Sequence, residues 1–180
     1  EYGAEVDGDQ LIGLIATHWH AKGRLSKPAI VATIMSNLGL ENHLNSIGID
    51  LIRTGVGDRH VAAEMRKNGY NVGGEQSGHL VFLRHATTGD GLVAAMQVLA
   101  ILLREERPLS ELAHEVMERV PQVLVNATLP IRKPLNRMPK TGTAIRDAEA
   151  TLGDAGRALM LSSGTEPKPH VMVPAPSPKP

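Results

Sequence analysis

AIVATIMSNLGLENHLNSIGIDLIRTGVGDRHVAAEMRKNG, residues 29–69, decides the fold. It opens on a short apolar run with β-branched residues (29–35), the composition of a strand buried on both faces. From 36 to 47, Leu40, Leu44 and Ile47 fall on one helical face, and Gly48 ends the segment. Residues 49–53 read as the next strand. Residues 57–68 read as a helix with Val61 and Met65 inward and Gly69 as its stop. Strand, helix, strand and helix in so short a span predict an α/β layer with a largely parallel sheet.

The same alternation extends both ways. Residues 9–22 carry Leu11, Leu14, Ile15 and Trp19 at helical spacing, with Asp7 or Asp9 as N-cap. Residues 71–73 and 79–83 read as strands around a glycine-fenced loop. Residues 88–104 form the clearest helix, with Leu92, Met96, Leu99 and Leu103 in one stripe. Glu105-Glu106-Arg107-Pro108 is a charged, proline-terminated hinge and predicts a domain boundary, so that 1–107 forms a three-layer α/β domain. A smaller α+β region follows over 108–173. It holds a helix (110–118), a strand (122–129), a Pro/Lys/Arg-rich connector (130–141), a short helix (143–152), a strand (157–161) and a loop (162–167). The prolines of 174–180 predict a disordered or polyproline tail.

Composition narrows the function. Lys+Arg and Asp+Glu balance at 19 each, which leaves no electrostatic footprint for nucleic acid or an anionic membrane. Tyr2, Trp19, Tyr70 and Phe82 are too few aromatics for a base-stacking platform. With no cysteine, disulfides, thiolate metal sites and cysteine nucleophiles are excluded, compatible with a reducing cytoplasm. No apolar run approaches a membrane span in length. The opening residues, Glu1 to Val6, lack an initiator methionine and read as the interior of a longer chain.

Gly73-Gly74-Glu75-Gln76-Ser77-Gly78-His79 packs a carboxylate, an amide, a hydroxyl and an imidazole between glycines. Such a loop suits a polyol, because each sugar hydroxyl both donates and accepts hydrogen bonds. Gly55-Val56-Gly57-Asp58-Arg59 is a second glycine-rich turn, before a helix. Its free N–H groups suit a phosphate or sugar oxygen, although Asp58 also serves as a cap. Thr87-Thr88-Gly89-Asp90-Gly91 opens the long helix, with Thr88 or Asp90 as cap. Ser163-Gly164-Thr165-Glu166-Pro167 offers two hydroxyls and successive N–H groups around a glycine, a concave anion site. Asp7-Gly8-Asp9 has two carboxylates, too few for a metal site, and reads as helix capping.

Taken in order, Val6-Asp7-Gly8-Asp9, Val56-Gly57-Asp58-Arg59, Gly74 to His79, Thr87 to Gly91 and Ser163 to Pro167 resemble the α-D-phosphohexomutase superfamily. Gln76 with His79 and the Thr-Thr-Gly-Asp-Gly turn resemble its bacterial phosphoglucosamine mutase branch more than its phosphomannomutase or phosphoglucomutase branches. The likeness runs from about Val6 to Val173. It implies four domains around a cleft in the complete enzyme. A phosphoserine lies in the first, Mg²⁺ in the second, sugar recognition in the third and a phosphate clamp in the fourth. It further implies conversion of glucosamine 6-phosphate to glucosamine 1-phosphate through a 1,6-bisphosphate.

By this resemblance Glu75, Ser77 and His79 belong to the sugar-binding loop, Gly57, Asp58 and Arg59 to the neighbouring cleft turn, and Ser163, Gly164 and Thr165 to the phosphate-binding loop. Residues 1–6 would end the second domain, 7–107 form the third and 108–173 part of the fourth. The phosphoserine and metal loops would lie upstream of Glu1, leaving this chain inactive alone, with a hexosamine phosphate as its partner. Relatives usually carry arginines where Leu161 and His170 stand, and close relatives often carry lysine where Gly55 stands. A non-catalytic sugar-phosphate-binding remnant is the alternative these departures favour.

Overall fold

The computed structural model describes residues 3, 5–126, 139–152, 158–162 and 169–174. The chain divides into two compact units, Glu1–Arg119 and Val120–Pro180.

The first unit alternates as its periodicity predicts: α1 (Gly8–Ala21), β1 (Ala29–Thr33), α2 (Leu38–Ser46), β2 (Asp50–Thr54), α3 (Asp58–Asn68), β3 (Val72–Gly74), β4 (Leu80–Phe82), α4 (Gly91–Glu105) and α5 (Leu109–Glu115). Its sheet has the order β2-β1-β3-β4. β1 runs parallel to β2 and β3, and β4 closes the edge antiparallel to β3. Alternate residues of a strand face opposite sides, and both sides are covered. Ile30, Val72, Leu80 and Phe82 join a core with Ile12, Ile15 and Trp19 of α1, Leu40 and Leu44 of α2, and Ala94, Val98 and Ile101 of α4. Val31 and Val81 face the other way, onto Val61, Ala62 and Met65 of α3. The result is three layers, helices on both faces of a mostly parallel sheet. Trp19 and Phe82 anchor the larger core, their ring centroids 5.6 Å apart.

The helix ends explain the boundaries. Asp7, not Asp9, caps α1: its side chain accepts from Gln10 N, and the Gln10 side chain accepts from the Asp7 N–H, a reciprocal capping box. Asp90, not Thr88, caps α4 by accepting from the N–H groups of Leu92 and Val93. Gly69 ends α3 in the left-handed conformation, as anticipated.

The expected domain boundary moves. The break falls after Arg119 rather than at the 105–108 hinge, because α5 packs on α1 and buries Leu112 and Ala113 in the first unit. Gln10 Nε2 also donates to Ala113 O, and Arg119 ion-pairs with Asp7. On α4 the structure supplies the direction that the stripe of large side chains left open. The helix's small face, Ala94, Val98 and Ile101, is buried, whereas Leu92, Met96, Leu99 and Leu103 point outward.

The second unit has a three-stranded antiparallel sheet, β5 (Gln122–Asn126), β6 (Leu159–Ser162) and β7 (Pro169–Pro174), with β7 central. Helix α6 spans Pro139–Leu152. Pro174, expected in the tail, is the last residue of β7 and pairs with Gln122. A proline is tolerated at a strand end, where one missing N–H leaves the rest of the ladder intact. Residues 175–180 lie outside the described residues.

Candidate functional site

Ligands of open α/β sheets bind beyond the carboxyl ends of the strands. Here β2 and β3 are parallel and flank β1, so the loops that follow them rise at one end of the sheet, on either side of β1. They meet there. Glu75, first residue after β3, accepts a hydrogen bond from the Gly57 N–H through Oε1 at 3.0 Å. Gly57 is the N-cap of α3, with φ of +118°, a conformation that only glycine adopts without strain, and it provides no side-chain cap. The Glu75 carboxylate therefore lies at the positive end of the α3 dipole, where a negative charge is favoured.

The rest of the 75–79 loop is a tight hairpin connection. The Glu75 N–H donates to His79 O at 3.0 Å, and the Gly78 N–H donates to Glu75 O at 2.9 Å. The Ser77 hydroxyl and Nδ1 of His79 lie 3.3 Å apart on the exposed tip. Glu75 itself is half-buried. The loop thus displays a braced carboxylate, whose Oε1 is engaged, beside an accessible hydroxyl–imidazole pair. That set can accept and donate several hydrogen bonds at once, as a polyol requires.

The Thr-Thr-Gly-Asp-Gly turn borders the same loop. Gly89 forms a bridge with Val81, and the Asp90 N–H donates to Leu80 O at 3.3 Å. Asp58 opens α3, with Arg59 exposed beside it. Nε of Arg59 lies 3.3 Å from Nε2 of His60.

Two residues of this neighbourhood escaped the sequence reading. His60 lays its ring against the Gly55–Gly57 turn, with Cδ2 3.6 Å from where a Gly57 Cβ would stand. A Cβ at 55 or 57 would make only ordinary contact with that ring, so the approach does not depend on the glycines and no local sequence signal marked it. Gly8 is the other. Its N–H donates to Gln76 O at 3.0 Å, so the start of α1 carries the back of the 75–79 loop. A Cβ on Gly8 would stand 2.6 Å from Gly78 N and 2.7 Å from Gln76 O, and closer still to Glu75 O.

Structure therefore joins Glu75 to Gly57 and Ser77 to His79, and sets Asp58 and Arg59 at the start of the next helix. Ser163, Gly164 and Thr165 lie outside the described residues. Leu161 and His170 are register partners on β6 and β7, bracketing that segment. Among the described residues no group of three or more His, Asp or Glu could hold a metal ion. Asp7 is committed to its cap and to Arg119, and Asp9 Oδ2 accepts from the Asn37 N–H at 2.7 Å. These residues do not fit a Mg²⁺ site. Among the described residues no helix is long and apolar enough to cross a membrane.

Comparison with known proteins agrees with this fold. Residues 7–120 match the family described as phosphoglucomutase/phosphomannomutase, alpha/beta/alpha domain III. A phosphoglucosamine mutase of Sorangium cellulosum (strain So ce56) is 56% identical over 173 residues, covering 96% of this chain and 36% of the relative. One from Parvibaculum lavamentivorans is 52% identical over 172 residues, covering 96% of this chain and 38% of the relative. The chain thus spans little more than a third of the curated relatives it matches. Among solved structures, Aspergillus fumigatus N-acetylphosphoglucosamine mutase in complex with GlcNAc-6P and magnesium superposes with a TM-score of 0.77 at 18% identity. That match covers 94% of this chain and 43% of the other. At that identity the likeness speaks for the fold alone.

Proposed function

Since the chain belongs to the phosphoglucomutase/phosphomannomutase family through its alpha/beta/alpha domain III, we propose that it is the substrate-recognising part of a phosphoglucosamine mutase. The complete enzyme interconverts glucosamine 6-phosphate and glucosamine 1-phosphate through a 1,6-bisphosphate, in the cytoplasm. Supporting the amino-sugar substrate are the relatives named for that activity, at 56% and 52% identity along 96% of the chain. The observation that carries the recognition role is the Glu75–Gly57 bond, which braces a carboxylate at the carboxyl end of the sheet beside Ser77 and His79.

In this reading the first unit is the third domain of the mutase, and the second unit belongs to the fourth. Glu75 accepts sugar hydroxyls through Oε2 while Oε1 stays on Gly57. Ser77 and His79 supply a donor and an acceptor at the loop tip, and the Asp58–Arg59 turn completes the sugar side. The loop at Ser163, Gly164 and Thr165 takes the phosphate. Phosphoryl transfer needs a donor serine and Mg²⁺, and neither is assigned to residues of this chain. Its own contribution is orientation, which turns a bimolecular encounter into a positioned one.

A calorimetric comparison tests this. Glucosamine 6-phosphate should bind more tightly than mannose 6-phosphate or glucose 6-phosphate. Glu75→Ala should weaken binding by about 2 kcal/mol, roughly 30-fold, the scale of a hydrogen bond to a charged group. Tighter binding of mannose 6-phosphate would move the proposal to the phosphomannomutase branch. Unchanged affinity in Glu75→Ala would reduce the loop to a plain turn.

A further inference from the structure

β1 ends between the two loops that the Glu75–Gly57 bond joins. Gly74 pairs with Ala32 and Thr54 with Thr33, so one residue further on Glu75 stands beside Thr33 and Gly55 beside Ile34. From there the chain leaves β1 toward α2, whose Leu40 and Leu44 join the larger core. It leaves β2 toward α3, on the opposite face of the sheet. Loops that part to opposite faces open a crevice over the carboxyl ends of the strands, the usual place for a ligand.

At the end of β1 lies a tight turn, residues 33–36. The Ser36 N–H donates to Thr33 O at 3.1 Å, and the Met35 N–H donates to the Thr33 hydroxyl at 3.3 Å. Arg53 of β2 grips both ends of the turn, donating through Nη1 to Thr33 O at 3.3 Å and to Ser36 O at 2.9 Å. Its Nη2 pairs with Glu41 at 2.7 Å, and its side chain is largely buried. Next along the chain, the Asn37 N–H is held by Asp9. A backbone fixed from so many sides keeps its tip residues in one place, as a ligand contact requires.

That tip is Ile34 and Met35. Both are apolar and half-buried, and neither joins a core formed by the described residues. Ligand pockets are lined mostly by apolar side chains, with a few polar groups that fix orientation. A hexose has the matching two-sided chemistry, hydroxyls around its rim and C–H bonds on its ring faces. Of the described aromatic residues, Trp19 and Phe82 are committed to the core, and Tyr70 precedes β3, at the far end from Glu75. Methionine takes their place well, because its thioether is polarisable and its chain adapts to irregular surfaces.

We propose that Ile34 and Met35 form the apolar floor of the sugar site. One face of the hexosamine ring rests on them while its polar rim meets Glu75, Ser77 and His79. This rests on the reading of the chain as the substrate-recognising part of a mutase. Arg53 touches no substrate and acts through the turn as a positioning residue.

The ε-methyl groups of the seven methionines provide the test, in ¹H–¹³C spectra of the 180-residue chain with Met35 assigned by Met35→Leu. With glucosamine 6-phosphate the Met35 methyl should shift along the same saturation curve as the Glu75 and Gly57 amides. Exposed Met96 on α4 should not move. Met35→Ala should weaken binding about ten-fold, the scale of a partly lost apolar contact, and Met35→Leu less than about two-fold. Inorganic phosphate should leave the Met35 methyl where it was. Shifts of the Glu75 and Gly57 amides without the Met35 methyl would overturn the proposal and leave the recognition role intact. So would an equal methyl shift with inorganic phosphate, which would give the turn to the phosphate instead of the ring. Movement of none of these resonances would remove the recognition role itself, and the floor with it.

Discussion

Gly8→Ala should destabilise the first unit by about 3 kcal/mol, the upper end of overpacking costs, and should unseat the 75–79 loop. The added methyl meets Gly78 N at 2.6 Å, Gln76 O at 2.7 Å and Glu75 O closer still. All three are backbone atoms, so no side chain can swing aside. Either α1 or the loop must move, and α1 is anchored in the core by Ile12, Ile15 and Trp19 whereas Ser77, Gly78 and His79 are exposed. Its displacement breaks the Gly8–Gln76 hydrogen bond and draws Glu75 away from Gly57. Urea denaturation measures the stability change. Amide exchange at Gly57, which the Glu75 hydrogen bond should slow in the parent, reports the loop directly. Gly91→Ala is the matched control, because nothing lies within 4 Å of a Cβ there. It should fall within about 0.5 kcal/mol of the parent, as surface substitutions do. Unaltered Gly57 exchange in Gly8→Ala would mean that α1 does not support the loop.

Stability should also fall as pH rises from about 4 to 6, through Asp9. This carboxylate is fully buried at the start of α1. Its Oδ2 accepts from the Asn37 N–H. Burial pushes the Asp9 carboxyl up to about 6, against the lowering effects of the Asn37 N–H and the Ser36 hydroxyl. The unfolded chain titrates near 3.8. Between those values the folded state holds a proton that the unfolded state has lost, so raising the pH across the window favours unfolding. At about 1.4 kcal/mol for each pH unit of separation, the charged form costs about 3 kcal/mol. Asp9→Asn removes that cost while its amide oxygen still accepts from Asn37. It should match the parent near pH 4 and exceed it by up to about 3 kcal/mol at pH 7. Other carboxylates work in the opposite sense. Glu115, for one, is held below its usual value by Arg107. For that reason the difference between the Asp9→Asn and parent melting curves is the quantity to follow. A constant difference across pH 4 to 7 would contradict the assignment.

How far these features were legible follows from the range of the interactions involved. Local signals were enough for α1 to α3 and the strands between them, because hydrophobic period, a cap such as Asp7 and a stop such as Gly69 all act within a few residues. On α4 the same method assigned the stripe of large side chains without its direction. An apolar helix offers two stripes, and the smaller one, Ala94, Val98 and Ile101, lets the helix approach α1 and β4 closely. Pro108 suggested a break, yet proline also suits a helix start. Here it is the N-cap of α5, whose burial carries the unit on to Arg119.

The site was visible as composition and hidden as geometry. Glycine, carboxylate, hydroxyl and imidazole close in sequence marked Glu75, Ser77 and His79. The Glu75–Gly57 bond depends on β2 and β3 flanking β1, a matter of strand order that no short stretch encodes. Gly8 was read as part of a cap, and its contact with a loop far along the chain belongs to tertiary packing alone.

The central claim is that the 75–79 loop and the Gly57 turn together recognise a hexosamine phosphate. Its most direct test is a ¹H–¹⁵N titration of the 180-residue chain with glucosamine 6-phosphate. The account predicts saturable shifts of the Gly57, Glu75, Ser77 and His79 amides with a single affinity, lost together in Glu75→Ala. Saturable binding that leaves those four amides unmoved, or no binding at all, would contradict it.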